Sequence, residues 1–514
     1  MLVIPFLVLF LTAATGWLLR NRHEGVIWGS TTLGFGLAWL VVLALRLDVP
    51  QRLHLSIWQP VTLFNSDLVL QLDVVGWTMA TAVGALLLAA ALISPEIAPG
   101  SGAFPRSLLA IYGALGMAAM LAGNLLTVVL TWALADAGAF VSSLALEHDT
   151  RSVSRHVNRL AAQGASTVLV LAAIVPMGAA AAVGSSSTAD PWGLTLLGGA
   201  AFMRLIPLGG ERSTIPGGGS LFEAASTLVP AGMGLSMLAR QLSAGAGAGG
   251  LLPLAWMAAA AFMLSCLAWG LTGSVFRSPS SLVAAIGSLG LIVAGVGGKS
   301  AAAGVAAVGA VTLVAGGLSV LAAPHESWHR IWPILAGAIV LGTPGTVGHD
   351  AFVPLTVGLK GMSAWGITVL TVIGVGLLGA GFFDLRGFVF SSWTSGESLV
   401  RTSYSSGLAV MAVVPFILAL GSGYSFTAGS LLAFGAGAGI AGVLRYMDSR
   451  FVLPTWSGWE GISSAWASRL ALVRGLARAP VSGLQGLGSM LEGEASILWV
   501  LVILVVLSLT LGAS

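Results

Sequence analysis

The stretch GNLLTVVLTWALADAGAFVSSLAL, residues 123–146, decides the fold class. A helix needs about 20 apolar residues to cross the hydrocarbon core of a bilayer, and this stretch supplies them with one ionisable side chain, Asp136. The run is too long for a strand of a membrane barrel. It therefore predicts a membrane-spanning helix that carries a single acidic residue.

The composition of the whole chain gives the same prediction. Of its 514 residues, 56% are hydrophobic and only 8% are charged, and the mean hydropathy is +0.96. A soluble protein of this length needs far more charge to cover its surface. The 70 glycines are typical of membrane helices that approach each other closely. A net charge of +3 does not suit a surface that binds a polyanion, so nucleic acid is not expected as a partner.

Similar apolar runs recur along the chain and predict about sixteen membrane crossings. Because lipid permits only helices or closed barrels, we predict an all-α polytopic membrane protein. The predicted crossings lie near residues 1–19, 27–46, 68–94, 107–123, 124–147, 159–183, 193–208, 219–240, 251–275, 281–297, 301–323, 331–358, 364–388, 405–421, 425–445 and 494–513. No basic segment precedes the first run, so it is interpreted as a membrane helix and not as a cleaved signal peptide.

The basic residues predict how these helices are oriented. Cytoplasmic loops of membrane proteins carry an excess of Lys and Arg. If the N-terminus lies outside, most of the 22 basic residues fall in cytoplasmic loops, and Arg204 alone lies within a span. The basic residues on the outer side are Arg46, Arg52, Arg240, Lys299 and Lys360. We therefore expect a multi-pass protein of the cell inner (plasma) membrane.

Two segments rich in proline and glycine interrupt the predicted spans. They are RLIPLGGERSTIPGGG (204–219), with Pro207 and Pro216, and GTPGTVGHD (342–350), with Pro344 and Gly345. Such density breaks a helix and frees backbone carbonyl and N–H groups. Paired broken helices in the two halves of a membrane protein often mark ion sites and inverted repeats. Simple loops between complete helices are the alternative.

Three further features limit the functions that the chain supports. Residues 456–492 mix arginine with apolar residues at near-helical spacing, which predicts a helix along the cytoplasmic membrane surface, or else a structured loop. Cys266 lies within an apolar run and is expected to be a small buried hydrophobe. No Cys/His cluster has the spacing of metal ligands, and no catalytic constellation is present. We therefore expect no metal, no cofactor and no catalytic site in this chain.

Five stretches resemble, in the same order, motifs of the antiporter-like membrane subunits of respiratory complex I (NADH:quinone oxidoreductase) and of Mrp-type cation/proton antiporters. They are residues 68–94, 123–146, 204–240, 282–297 and 342–355. The second is similar to the family's Asn-Leu-Leu…Trp-Glu-Leu…Ser helix, and the last matches its Gly-x-Pro-Gly-Thr break. The chain thus resembles a divergent member of this family over residues 68–390.

The resemblance implies two inverted five-helix repeats with broken helices, each repeat holding half a proton channel. It also implies other membrane subunits as partners, which would supply the redox energy. The expected organisation is N-terminal helices over 1–106, a first repeat over 107–240, a second over 251–388, additional helices over 389–455, the amphipathic segment 456–492 and a last membrane helix over 493–514.

The chain departs from the family at most positions of the proton route. Where the family has Trp-Glu-Leu, this chain has Trp132-Ala133-Leu134, and Asp136 lies three residues after Ala133 on nearly the same helix face. At the family's lysine, two residues before Arg204, this chain has phenylalanine. Asp136 is therefore the residue that can take over the carboxylate role.

Ionisable residues inside a membrane are costly, and their default interpretation is functional. The candidates for the proton pathway are Asp136, Arg204, Glu223, Arg277, His349 and Asp350. Arg204 and Glu223 are candidates for a buried ion pair, acting either as a structural staple or as a relay. Asp350 can alternatively cap a half-helix, and Asp73 is expected to be an end-of-helix residue.

Three functions stay open at this point. The first is an antiporter-like subunit that contributes a proton or cation pathway to a complex I-like or related ion-translocating complex. The second is a non-conducting scaffold of such a complex, which the altered glutamate and lysine positions favour. The third is a subunit of a secondary transporter for Na⁺ or bicarbonate, although few charges are present to bind a hard cation. A membrane-embedded enzyme is the least supported.

Overall fold

Helices account for most of the chain, as its apolar runs predict. The structure is a computed structural model that describes residues 1–55, 68–97, 102–146, 150–182, 191–205, 221–244, 251–271, 279–322, 327–357, 362–383, 398–422 and 427–450. The helices are α1 (Ile4–Leu18), α2 (Glu24–Ala44), α3 (Val74–Ile97), α4 (Ala103–Met120), α5 (Leu125–Leu146), α6 (Thr150–Ala182), α7 (Pro191–Leu205), α8 (Leu221–Ser243), α9 (Leu252–Leu271), α10 (Pro279–Val296), α11 (Ala301–Leu321), α12 (Ile331–Val340), α13 (Val347–Asp350), α14 (Val353–Val357), α15 (Met362–Phe382), α16 (Ser398–Ser422) and α17 (Ala428–Arg450). Short 3-10 helices lie at Leu45–Asp48, Gly298–Ser300 and Ser327–Arg330.

Within the described residues, nine helices are long and apolar enough to cross a bilayer. Shorter apolar helices are Ile4–Leu18, Leu252–Leu267, Ser281–Val296 and Ile331–Val340. Every predicted crossing from 1–19 to 425–445 overlaps at least one helix. The predicted surface segment 456–492 and the crossing 494–513 lie outside the described residues. The prediction of a multi-pass helical membrane protein is confirmed, and the count of sixteen crossings stays a prediction.

Helices α3 and α11 lie at the centre of the described unit. Nearly every residue in both is buried. Helix α3 packs against α2, α4, α8, α11 and α16, and α11 also packs against α8, α10, α12 and α16. Helix α11 has no ionisable side chain, and the first one in α3 is Glu96, its second-last residue. Because both helices are apolar on all sides, they can be enclosed by other helices without burying an unpaired charge.

A two-stranded hairpin is a departure from the all-α prediction. Strand β1 (Gln51–Leu55) pairs antiparallel with strand β2 (Leu68–Leu72). The length rule predicts a helix from residue 68, but α3 begins only at Val74. The physical reason is Asp73, whose Oδ1 accepts a hydrogen bond from the backbone N–H of Gly76 at 2.6 Å and so caps the helix.

The helical structure is interrupted between α12 and α13, within the segment 342–350. Gly342 and Gly345 have φ of 79° and 89°, a left-handed backbone region that favours glycine. Pro344 lies between them and has no N–H to continue the helical hydrogen bonding. A Cβ at Gly348 would collide with the carbonyl oxygen of Ile339, so glycine allows α13 to approach the last turn of α12.

Contacts at helix ends join residues that the predicted topology places on the same side. On the predicted outer side, Arg46 donates to the carbonyl of Gly421 through Nε at 3.0 Å and Nη2 at 2.6 Å. On the predicted cytoplasmic side, Arg106 contacts Glu24 at 3.3 Å. The alternation of helix directions is therefore consistent within the structure, and the assignment of one side to the cytoplasm rests on the positive-inside rule.

Candidate functional site

A buried ion pair joins α5 to the end of α7. Arg204 donates two hydrogen bonds to the carboxylate of Asp136, from Nη1 to Oδ1 at 3.0 Å and from Nη2 to Oδ2 at 2.6 Å. The side chain of Arg204 is 0% exposed and that of Asp136 is 6% exposed. Two parallel charge-assisted bonds are the strongest and most geometrically specific form of an arginine–carboxylate contact.

Three surrounding features stabilise the guanidinium of Arg204. Its central carbon lies 3.8 Å from the centre of the Trp132 ring, where the ring face attracts a cation. Its Nη2 lies 3.4 Å from Oγ1 of Thr167 in α6. Arg204 also lies in the last turn of α7, where the helix dipole has its negative end. The site is therefore built from α5, α6 and α7 together.

The interior face of α5 runs through Trp132 and Asp136, which are four residues apart and lie on one side of the helix. Both are buried, whereas Ala133, the position of the family's glutamate, is exposed. The acidic side chain that reaches the interior of this helix is therefore Asp136.

The structure gives Arg204 a partner that the sequence does not suggest, since both of its terminal nitrogens bond to Asp136. The pairing of Arg204 with Glu223 stays a prediction. Glu223 lies in the first turn of α8, and its side chain is outside the described part of the molecule. The sequence suggested Glu223 because it and Arg204 flank the same interrupted segment. Asp136 lies 68 residues from Arg204, so no local pattern indicates that these two residues pair.

A narrow crevice between α5 and α6 leads away from the ion pair. Its lining includes Asp136 and Ser143 of α5 and His156, Arg159 and Gln163 of α6. It has room for about one water molecule. From Asp136 to Ser143, α5 advances by about 10 Å toward its C-terminal end. The crevice thus extends from the ion pair toward the C-terminal end of α5, which the predicted topology places in the cytoplasm.

Sequence reasoning missed the polar residues of α6. His156, Arg159, Gln163, Ser166 and Thr167 recur at spacings of three and four, which places them along one side of a helix. This periodicity was available as a signal. Arg159 crosses to α8, where its Nη1 donates to Oγ of Ser226 at 3.1 Å.

Tyr112 of α4 also borders this charged region. It is fully buried, and Arg159, Asp136 and Arg204 all lie within electrostatic range of its hydroxyl. Helices α4 to α7 therefore each contribute a polar side chain to this region, and α8 is joined to it through the contact of Ser226 with Arg159.

At the second break, His349 is completely buried. Its Nδ1 lies 3.2 Å from the carbonyl oxygen of Gly342, and its Nε2 lies 2.8 Å from Oγ of Ser430 in α17. Asp350, the next residue, is partly buried at the end of α13. Ser430 was not among the residues singled out from the sequence, because nothing local connects it to a histidine 81 residues away.

The remaining predicted residues are placed as follows. Pro344 and Gly345 lie in the break between α12 and α13. Arg277, Pro207 and Pro216 lie outside the described residues, so their role stays a prediction. Within the described part of the chain, no group of three or more His, Cys, Asp or Glu side chains has an arrangement that could hold a metal ion.

Asp73 and Arg240 form a second polar cluster, at the predicted outer side. Arg240 of α8 lies 3.5 Å from Oδ1 of Asp73. Its Nη2 donates to the carbonyl of Gln71 at 2.8 Å, and its Nη1 donates to the carbonyl of Ala122. The end-of-helix role expected for Asp73 agrees with this geometry, because the cluster ties β2 and the α4–α5 turn to α8.

Comparisons with known proteins identify the fold. A chain of the Mrp complex from Dietzia sp. DQ12-45-1b is 16% identical with a TM-score of 0.71, and the match covers 100% of this chain and 63% of that one. A chain of the archaeal membrane-bound sulfane sulfur reductase is 15% identical with a TM-score of 0.66, covering 98% and 99%. A chain of respiratory complex I from Thermus thermophilus is 15% identical with a TM-score of 0.62, covering 86% and 99%.

These matches confirm, at the level of the fold, the resemblance that the sequence motifs indicated. This chain spans less than two thirds of the Mrp chain and nearly the whole of the other two. No protein-family model and no curated protein sequence matches the chain.

Proposed function

We propose that this chain is an antiporter-like membrane subunit of an ion-translocating complex and that it contributes a proton pathway to it. The fold supports the first part, because chains of the Mrp complex, the sulfane sulfur reductase and respiratory complex I share it. Partner subunits would then supply the energy, and the complex would lie in the plasma membrane with its arginine-bearing loops in the cytoplasm.

The observation that carries the proton pathway is the buried Asp136–Arg204 pair. An arginine stays charged at every relevant pH, so the group that gains and loses a proton in this pair is Asp136. The bidentate contact places the carboxylate of Asp136 against the charge of Arg204. If Arg204 moves away when a neighbouring subunit changes state, the carboxylate is left in an apolar environment and takes up a proton. Its return expels the proton again.

The crevice supplies the route by which protons reach Asp136. It lies between α5 and α6, and its lining combines the polar groups of Ser143, His156 and Gln163 with the apolar side chains of Ala139, Phe140 and Leu160. A water molecule held among such groups can pass a proton between them. Arg159 adds a fixed positive charge that disfavours entry of a metal cation, so the crevice suits protons better than Na⁺.

A scaffold role is the second candidate, and it also has a specific observation in its favour. Arg204 makes a bidentate pair, a ring contact and a further contact to Thr167, an arrangement that would hold α5, α6 and α7 together without any transport. Under this alternative, the pair never separates and Asp136 never takes up a proton.

Asp136→Asn separates the two functions. We expect sealed vesicles that contain the intact complex to move fewer protons per turnover when the chain carries this variant, since an amide cannot carry the proton. The matched control is Asp48→Asn, which changes an exposed aspartate and is expected to pump like the wild type. Unchanged pumping by Asp136→Asn, in a complex of normal composition, would support the scaffold instead. Transport by the purified chain without partner proteins would indicate a secondary transporter.

A further inference from the structure

The end of α1 that the predicted topology places in the cytoplasm carries two exposed arginines, Arg20 and Arg22. The one acidic residue before Asp48 is Glu24, and it contacts Arg106 of α4 at 3.3 Å. Within the described residues, neither Arg20 nor Arg22 has an acidic partner. Three arginines and one glutamate therefore leave this corner of the molecule with an excess of two positive charges.

An aromatic platform lies directly beside one of these arginines. The central guanidinium carbon of Arg20 lies 4.6 Å from the centre of the Trp17 ring. The Trp17 ring in turn lies 6.3 Å from the ring of Phe104 in α4. Trp17 is 50% exposed and Phe104 is 40% exposed. Tryptophan is enriched where hydrocarbon meets the lipid headgroups, so this contact sets the charge of Arg20 at the depth of the phosphates.

Beyond the platform, α1 presents an exposed apolar stripe. Helix α1 packs against α2 and α4, and its large exposed side chains lie on the remaining side, within about 120° of the helix circumference. They include Leu7, Phe10, Leu11, Trp17 and Leu18, each between 46% and 79% exposed. Large apolar side chains that point away from the protein are suited to contact with acyl chains.

The length of this stripe matches one leaflet of a bilayer. From Leu18 to Leu7, α1 advances by about 16 Å, and half of the hydrocarbon core is about 15 Å thick. An acyl chain that begins beside Leu18 therefore ends near Leu7, with its headgroup beside Arg20 and Arg22. The surface thus offers cations, an aromatic interface and an apolar stripe in the order in which a phospholipid presents phosphate, ester groups and acyl chain.

We propose that Trp17, Arg20, Arg22 and Phe104, together with the apolar stripe of α1, bind a phospholipid with a net negative headgroup in the cytoplasmic leaflet. The guanidinium groups donate hydrogen bonds to its phosphate oxygens. A zwitterionic lipid brings its own positive charge to the same place, so it binds less well. This inference concerns the surface of the chain and does not depend on the proton pathway.

The test is the quenching of Trp17 fluorescence by phospholipids brominated in their acyl chains, in vesicles that contain the whole complex. The chain has 17 tryptophans, so the Trp17 signal is measured as the difference between the wild type and Trp17→Phe. One arginine near an anionic bilayer surface favours binding by about fivefold. We therefore expect brominated phosphatidylglycerol to half-quench Trp17 at a mole fraction at least about fivefold lower than brominated phosphatidylcholine does.

Variants at exposed positions separate charge from other effects. Arg20→Gln combined with Arg22→Gln should abolish the preference for phosphatidylglycerol, whereas Arg20→Lys, which keeps the charge, should retain it. Arg52→Gln is the matched control, because Arg52 is an exposed arginine of β1 on the predicted outer side. It should leave the preference unchanged.

Trp192 provides an internal comparison. It is 74% exposed at the start of α7, and the sequence has no basic residue between Arg159 and Arg204. Its signal, isolated with Trp192→Phe, should be quenched equally by the two lipids.

Two kinds of result would overturn the inference. The first is equal quenching of Trp17 by both lipids, or a preference that survives the double glutamine variant. The second is a Trp17 that neither lipid quenches while both quench Trp192, because a partner subunit then covers the patch. The pumping result for Asp136→Asn has no bearing on these outcomes, so the two proposals can fail separately.

Discussion

Replacing Asp136 with leucine is expected to lower the free energy of unfolding by about 3–5 kcal/mol. The substitution removes the carboxylate that pairs with Arg204, whose side chain is 0% exposed. Arg204→Met is expected to cost a similar amount, because it leaves the Asp136 carboxylate buried with no cation. Denaturant titration of the purified full chain in detergent measures both changes.

The double variant Asp136→Leu with Arg204→Met separates the charge effect from packing. Replacing a buried ion pair with apolar residues of similar size is often close to neutral. We therefore expect the double variant to lie nearer to the wild type than either single variant, which requires a coupling energy larger than one single effect, at least about 3 kcal/mol. Asp48→Ala, at an exposed aspartate, should change stability by less than about 0.5 kcal/mol. If the free-energy changes of the two single variants simply add up in the double variant, Asp136 and Arg204 do not interact directly.

Replacing Arg240 with alanine is expected to cost about 3 kcal/mol. The guanidinium donates to two backbone carbonyls, those of Gln71 and Ala122, and it lies beside the Asp73 carboxylate. Removing it leaves buried acceptors without donors, and each such group costs about 1–3 kcal/mol. Arg240→Lys should recover only part of the loss, because an ammonium cannot reproduce the planar fork.

Arg20→Ala is the control for this substitution. Arg20 is an exposed arginine that lies 4.6 Å from the centre of the Trp17 ring at another helix end. Such exposed cation–π contacts contribute about 0.5–1 kcal/mol. If Arg240→Ala costs no more than Arg20→Ala in the same denaturant titration, the cluster does not hold α8 to the hairpin.

The helices were predictable because their signal is local. Each lipid-spanning run must satisfy its backbone internally and be apolar over about 20 residues, and this property can be read from consecutive residues. The break at 342–350 was predictable for the same reason, since Gly342, Pro344 and Gly345 are neighbouring residues of types that interrupt a helix. The hairpin was missed because the apolar strand 68–72 runs on into α3 and satisfies the same length rule.

The polar contacts were not predictable, because they join residues far apart in sequence. Asp136 was singled out as an acid in an apolar helix, but nothing in the sequence names Arg204 as its partner across three helices. Likewise, the Ser430 contact with His349 depends on how α17 packs against the break. The polar side of α6 is an exception. The spacing of His156, Arg159 and Gln163 predicts that they share one side of a helix, and this is the side that lines the crevice.

The most direct test of the proton pathway is the pumping stoichiometry of the Asp136→Leu, Arg204→Met double variant in sealed vesicles. This variant has lost both charges of the ion pair, yet it should be stable enough to assemble, which removes misfolding as an explanation. The account predicts an intact complex that moves fewer protons per turnover than the wild type. An intact complex with unchanged stoichiometry would contradict it and leave the ion pair as a structural staple.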